Sequence, residues 1–303
     1  MQIQGVTIDD TFAEAFPMKA TRLLVTAHDL AWARNAATSM TGLATSVIGC
    51  GCEAGIERVL RADETPDGRP GLAVLLFAVS TKELAKQVER RVGQCVLTCP
   101  TTAIYAGLPE DAGEALPLGR NLRFFGDGWQ IAKVTDGVRY WRVPVMDGEF
   151  VCQESTPVVK AVGGGNLLML ARDTDAALGA AEAAVAAMRK VPNVILPFPG
   201  GVVRSGSKVG AKYAALSAST NDAFCPSLSP PVATELAADV RCVLEIVVDG
   251  LTGTDVSAAM RAGLAALTGR GAGAGLLRVS AGNYGGKLGP FHFHLRQLAG
   301  AAP

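Results

Sequence analysis

Asn166-Leu-Leu-Met-Leu-Ala171 reads as a buried strand, and the residues after it turn to helical spacing: Leu178, Ala181, Val185 and Met188 recur at i, i+3, i+7 and i+10. A strand at 194–198 follows and runs into a glycine loop. Then come a strand at 242–248, a helix carrying Val256, Met260, Leu264 and Leu267, and a last strand at 276–280. The order is β-α-β-β-α-β. The first half repeats it. A strand at 22–27 precedes a helix with Trp32, Ala36 and Met40 at i, i+4 and i+8, and a strand at 43–49 follows. After the turn Glu64-Thr-Pro-Asp-Gly-Arg-Pro-Gly71 comes a strand at 72–79. Ser80 and Glu83 form a capping box for a helix with Leu84, Val88 and Val92 on one face, and a short strand at 94–98 closes the set. Two extra strands, at 121–125 and 139–145, lie between the halves. The repeated order predicts separate sheets, hence an α+β fold of two pseudo-repeated ferredoxin-like lobes: residues 1–152, with the extra strands, and residues 153–303.

Composition narrows the function classes. The 303 residues carry 28 Lys+Arg against 28 Asp+Glu. Zero net charge removes the basic footprint that a general nucleic-acid binder needs. At 49% hydrophobic and 18% charged, the chain has ample core and less charge than the usual quarter or so. Asp9, Asp10 and Glu14 stand where a signal peptide has basic and then apolar residues, and the longest uncharged stretch, 35–52, is too short and polar to span a bilayer. Seven cysteines, an odd number, do not suggest a disulfide framework, and Cys50-Gly-Cys52 and Cys95-x-x-x-Cys99 lack C-x-x-C spacing. The expectation is a cytoplasmic protein with reduced thiols and neither membrane nor nucleic acid as partner.

Glycine is enriched, at 35 residues, and it clusters. Gly200, Gly201, Gly206 and Gly210 follow the second strand of the second half; Gly282, Gly285, Gly286 and Gly289 follow its fourth. Such loops let backbone approach a ligand closely, and polar side chains among them favour ligand contact. They are not phosphate loops: Gly201-Val-Val-Arg-Ser-Gly206-Ser207-Lys208 has one residue too many before its lysine. Ala281-Gly-Asn-Tyr-Gly-Gly286-Lys287-Leu288 lacks the first glycine and the Ser/Thr. Gly271-Ala-Gly-Ala-Gly275 follows a helix instead of opening one, so it is no dinucleotide turn. His292 and His294 share a strand face, but no third ligand has matching spacing, so no metal is expected. One acid is out of place. Glu245 interrupts Cys242-Val-Leu-Glu-Ile-Val-Val248 on the face of Val243 and Val247. A carboxyl there has a raised pKa, suited to a general acid or proton shuttle; a paired or edge carboxylate with structural work fits equally.

Further motifs carry a resemblance: Asp10-Thr-Phe-Ala-Glu-Ala-Phe16, Glu53-Ala-Gly-Ile-Glu57, Gly93-Gln-Cys-Val-Leu-Thr98, Gly164-Gly-Asn166, Pro197-Phe-Pro-Gly-Gly201, Ala218-Ser-Thr-Asn-Asp222, Phe224-Cys-Pro226 and Ser280-Ala-Gly-Asn-Tyr-Gly-Gly-Lys-Leu-Gly289. With Glu64–Gly71 and Ser207-Lys208 they run in order from about residue 2 to 298, and the chain resembles formylmethanofuran:tetrahydromethanopterin formyltransferases. The resemblance implies a cytoplasmic enzyme of two α/β lobes, often a homotetramer, with no metal and no tightly bound cofactor. It moves a formyl group between N5 of a tetrahydromethanopterin-type pterin and the primary amine of a methanofuran-type carrier. Glu245 falls on the family's catalytic glutamate. Ser207, Lys208, Asn221, Asp222, Asn283, Tyr284, Lys287, Gly200 and Gly201 are the candidates for substrate contact, with Lys208, Lys212 or Lys287 available to carrier carboxylates. Cys95 and Cys225 lie in matching motifs without a paired base, which favours direct transfer over a thioester route. The balanced charge points to a bacterial, methylotroph-type member. Such members resemble the formyltransferase subunit of a formyltransferase/hydrolase complex, with a metal-dependent formylmethanofuran hydrolase subunit and accessory subunits as partners. The competing readings are a non-catalytic pterin- and furan-binding subunit and a folate-dependent formyltransferase.

Overall fold

The structure, a computed structural model, describes residues 1–216, 218–228 and 233–300. The chain has a mixed α/β, sheet-dominated fold in two compact units: Met18–Ala161, and Met1–Pro17 joined to the chain from Val162 onward. The units do not follow one cut at 152/153. The chain passes between them within two long strands, Phe12–Thr26 and Ser155–Ala171. The crossings hold Pro17 and Gly163-Gly164-Gly165, yet both lie within continuous strands, so the composition there does not mark an irregular linker.

In the unit Met18–Ala161, strand Gly71–Ala78 pairs antiparallel with Cys52–Leu60 on one side and with residues 19–26 on the other; residues 23–26 pair antiparallel with Ala103–Ala106. Gly148–Gln153 continues the sheet in parallel, followed by Val138–Val145 and Ile131–Thr135. All eight residues of Gly71–Ala78 are buried, which accounts for its unbroken apolar run. Helices Leu30–Thr41 and Thr81–Arg91 start at Asp29 and Ser80, whose side chains accept the N–H groups of Trp32 and Glu83.

Three expected strands differ. Residues 47–50 form a helical turn capped by Ser46 and ended by Gly51 at φ +78°, so the second strand is Cys52–Leu60 instead of 43–49. Residues 92–96 continue the preceding helix as a wider turn, and the closing strand is Ala103–Ala106 instead of 94–98. Residues 121–125 lie in the helical turns Gly119–Leu122 and Arg123–Gly126, whereas the strand expected at 139–145 is present as Val138–Val145. Short apolar runs fit a buried helical turn as well as a strand.

In the other unit, residues 165–171 pair antiparallel with Cys242–Gly250, and residues 168–171 also with Leu276–Ser280. Val194–Ile195 pairs with the far edge of Cys242–Gly250; Pro197, which has no N–H to give the ladder, follows it. Val6–Ile8 adds in parallel beside Leu276–Ser280, and Phe291–His294 pairs with residues 12–15. Leu167, Met169, Ile246 and Val248 form one core with Ala177, Ala181 and Met188 of helix Thr174–Met188 and Met260, Leu264 and Leu267 of helix Gly253–Gly269. The opposite face, with Leu168, Leu170 and Val243, lies under Phe224, Leu236 and Val240 from the long segment between Ile195 and Cys242. Functional side chains collect on this second, helix-free face.

Candidate active site

Strand alternation builds the floor of the site. Leu168 stands opposite Glu245 on one neighbouring strand and Ser280 on the other, and Leu170 stands opposite Arg278. Side chains two residues apart share a face, so Asn166, Leu168, Glu245, Arg278 and Ser280 all point away from the helices. They line a cavity of about 560 Å³. Asp9, Asp10 and Thr11 form one wall, Asn283 and Tyr284 another. Ser207, Lys208, Asn221, Phe224 and Glu235 enclose it from the long segment. That segment is tied to the floor by a two-way backbone bridge: Val203 N–H donates to the Glu245 carbonyl at 2.7 Å, and Glu245 N–H to the Val203 carbonyl at 2.9 Å.

Burial pushes the Glu245 carboxyl up to about 7, and among the described residues no charge or hydrogen bond offsets that burial. The carboxyl therefore exists in both protonation states near neutral pH. Around it the polar groups are held. Nε of Arg278 donates to both Asp9 oxygens at 2.7 and 2.8 Å, and its Nη1 donates to the Glu235 carbonyl at 3.0 Å. Nδ2 of Asn283 donates to Thr11 Oγ1 and to the Phe12 carbonyl. Asn166 grips both backbone groups of Gly282: its Oδ1 accepts the N–H at 2.6 Å and its Nδ2 donates to the carbonyl at 3.1 Å. Lys208 Nζ donates to Asp222 Oδ2 at 2.6 Å, and both residues also border a second cavity of about 590 Å³ with Lys212, Tyr213 and Thr220.

The structure thus gathers Glu245, Ser207, Lys208, Asn221, Asn283 and Tyr284 around one cavity and puts Asp222 behind Lys208. It does not bring Lys287, Gly200 or Gly201 to the cavity wall. Gly200 and Gly201 form a turn at φ +66° and +87°; a Cβ on Gly201 would meet Val185 at 3.0 Å, so this glycine admits the packing of the turn on helix Thr174–Met188. Asp9, Asn166, Arg278 and Ser280 line the cavity without being among the sequence candidates for the site, although Asn166 and Ser280 lie in motifs that carry the resemblance. The signal for Arg278 and Ser280 resembles the one that exposed Glu245, polar side chains on one face of an otherwise apolar strand. His292 and His294 pack against Phe12, at ring-centroid distances of 4.7 and 5.2 Å. Among the described residues no three His, Cys, Asp or Glu side chains are grouped to hold a metal, and no helix is long and apolar enough to cross a membrane.

Two family models together match nearly all of the chain. Residues 1–145 match the formylmethanofuran-tetrahydromethanopterin formyltransferase model, and residues 148–298 match the model of its proximal lobe. The formylmethanofuran–tetrahydromethanopterin formyltransferase of Methylococcus capsulatus is 65% identical over 298 residues, covering 98% of this chain and 99% of the relative. Among solved structures, the formyltransferase/hydrolase complex of Methylorubrum extorquens with methylofuran contains a chain that superimposes with a TM-score of 0.95 at 52% identity, over 98% of each chain. The Methanosarcina barkeri formyltransferase gives 0.92 at 47% identity, covering 98% of this chain and all of that one. The chain belongs to the formylmethanofuran–tetrahydromethanopterin formyltransferase family.

Proposed function

We infer that the chain is a formyltransferase acting between N5 of a tetrahydromethanopterin-type pterin and the primary amine of a methanofuran-type carrier, with Glu245 as its acid–base group. One observation carries the mechanism: a buried carboxyl, its pKa pushed up to about 7 by that burial, in the floor of a cavity walled by hydrogen-bonding groups. The amine nitrogen attacks the formyl carbon to give a tetrahedral oxyanion, and its proton passes to the Glu245 carboxylate. Collapse of the oxyanion breaks the bond to N5, and N5 takes the proton back from the Glu245 acid, so the residue ends as it began. A group that titrates near the working pH serves both halves of this exchange. Asn166 and Asn283 spend their amide N–H groups on protein partners and so fix the shape of the cavity wall, and two substrates held in one cavity supply the proximity term. Ser207, Lys208, Asn221 and Tyr284 are read as substrate contacts, Asp222 as the anchor of Lys208, and Lys212 and Lys287 as partners for carrier carboxylates. Gly200 and Gly201 act by shaping the turn that leads into Val203.

The same reading extends to finer matters. Each unit is taken as ferredoxin-like, which the order β-α-β-β-α-β and the antiparallel placement of the first strand between the third and fourth support. As stretches of sequence, lobes of 1–152 and 153–303 are supported by where the two family models meet. The Methylorubrum complex supports assembly with a formylmethanofuran hydrolase and accessory subunits. A homotetramer, a cytoplasmic site of action and independence from metal stay expectations of the family resemblance. The test is transfer of formyl from the 5-formyl pterin to the furan amine by the purified chain alone, followed spectrophotometrically, with 5-formyltetrahydrofolate as the comparison donor. Binding of both substrates without turnover favours the non-catalytic reading, and equal rates with the folate overturn the pterin assignment.

A further inference from the structure

We propose that Glu14 is the positioning residue that holds the substrate loop 282–289 in its working shape; this rests on reading the 560 Å³ cavity as the formyl-transfer site. Glu14 lies on strand Phe12–Thr26, opposite His292, and is 1% exposed. Its Oε2 accepts the N–H groups of Tyr284 at 2.7 Å and Gly286 at 3.0 Å. Its Oε1 accepts that of Gly289 at 3.0 Å and a shorter bond from Leu288. Two donors on each oxygen use about all the acceptor capacity of a carboxylate. Burial pushes this carboxyl's pKa up, but the four N–H groups outweigh it and hold it below the ordinary 4.5.

The geometry is that of an anion-binding nest filled from within the protein. Gly285 and Gly286, at φ +70° and +75°, turn the loop so that its amides converge on one point. Asn166 fixes the loop's start at Gly282, and the backbone N–H of Glu14 itself donates to the Gly282 carbonyl at 3.3 Å. The outer side of this cradle presents Asn283 and Tyr284 to the cavity that contains Glu245. Glu14 is not among the residues that line that cavity, so it acts on the reaction through the loop. A neutral residue cannot replace it, because converging amides without an anion repel one another and lose their acceptors.

The test uses the full chain carrying Glu14→Gln, which keeps the shape but turns an amide toward the donors, and Glu14→Asp, which keeps the charge on a shorter arm. Hydrogen exchange at Tyr284, Gly286, Leu288 and Gly289 should quicken at least tenfold in the Gln variant, with strand Cys242–Gly250 unchanged. The KM for the 5-formyl pterin or the furan amine should rise about tenfold or more with a smaller change in kcat, and Glu14→Asp should recover part of both effects. Faster exchange with unaltered kinetics overturns the proposal, as does equal loss of activity in both variants with unaltered exchange. If Glu14→Gln does not fold, Glu14→Asp and the unaltered chain in acid carry the test: exchange at the four amides should rise ahead of the strand as pH falls below 4.5, and uniform exchange overturns the clamp. A chain that transfers no formyl group in any form sinks the activity and not the clamp, which is then read from exchange and from the dissociation constant of the pterin.

Discussion

Replacing Glu245 by Gln should destroy activity and stabilise the protein at the same time, and the size of the second effect follows from the site. The folded carboxyl titrates at about 7, against an ordinary value of 4.5. At about 1.4 kcal/mol for each pH unit, that gap amounts to about 3 kcal/mol. Its sign is set by linkage. The folded state holds the proton more tightly than the unfolded state, so the fold is most favoured below pH 4.5. It loses stability as the pH climbs toward 7, and the loss is complete above that. Gln is uncharged throughout and escapes the loss. Thermal unfolding of the two proteins should therefore coincide within about a degree at pH 4.5. At pH 8.5 the Gln variant should melt higher by several degrees, roughly 5–10 °C for about 3 kcal/mol in a chain of this size. Formyl transfer by the same samples should fall about 10²- to 10⁴-fold, as expected for a lost acid–base group. An equal melting difference at both pH values refutes the desolvated carboxyl, and an undiminished turnover number removes Glu245 from the chemistry.

Other expectations are simpler to check. In Gly165→Ala the new methyl would lie 2.5 Å from Val256 and 2.9 Å from Val248, two stiff side chains; about 1–3 kcal/mol of stability should be lost, read as a lower urea midpoint at constant slope. Lys208→Met should change stability by less than about 1 kcal/mol, since its bond to Asp222 is only half-buried and screened by water, yet raise the KM of one substrate at least several-fold. Alkylation of the native protein at pH 7.5 should label Cys50 before Cys52. Burial pushes both thiols up; backbone groups of Ser46 and Thr45 with Arg91 bring Cys50 below its ordinary value, whereas Cys52 stays at about 11. Peptide mapping that finds Cys52 labelled first contradicts this ordering.

The periodic elements are legible in the residues alone. The helices at Leu178–Met188 and Val256–Leu267 carry their apolar residues at a spacing only a helix satisfies, and the strand 276–280 is bounded by Gly275 and the Gly282 loop. The short elements are not. Residues 43–49 and 94–98 are too brief for periodicity to separate a strand from a buried turn, and their fate is decided by Ser46, Gly51 and the continuation of a helix past Arg91. In the site, Glu245 is visible as a charge in an apolar run. Asp9 and Asn166 are not, because their importance comes from partners 269 and 116 residues away, Arg278 and Gly282. Gly200 and Gly201 mislead for the converse reason: clustered glycine marks tight backbone, and whether a ligand or a helix lies against it is a tertiary matter.

Strand Phe12–Thr26 has a consequence for how the molecule is made. Met18–Ala161 is continuous in sequence and has all its strands and helices once residue 161 is synthesised. The unit that holds the site must wait. Val6–Ile8, paired locally only with Gln2–Ile3, joins no larger sheet until Leu276–Ser280 emerges, and the Glu14 carboxylate has no amides to hold until Tyr284–Gly289, about 270 residues later, have left the ribosome. Such non-local pairing slows folding, because the chain between the partners must close before their contacts repay it. A nascent or prematurely ended chain thus has one finished body and no site, and its first strands, still without their distant partners Leu276–Ser280 and Phe291–His294, remain open to wrong ones.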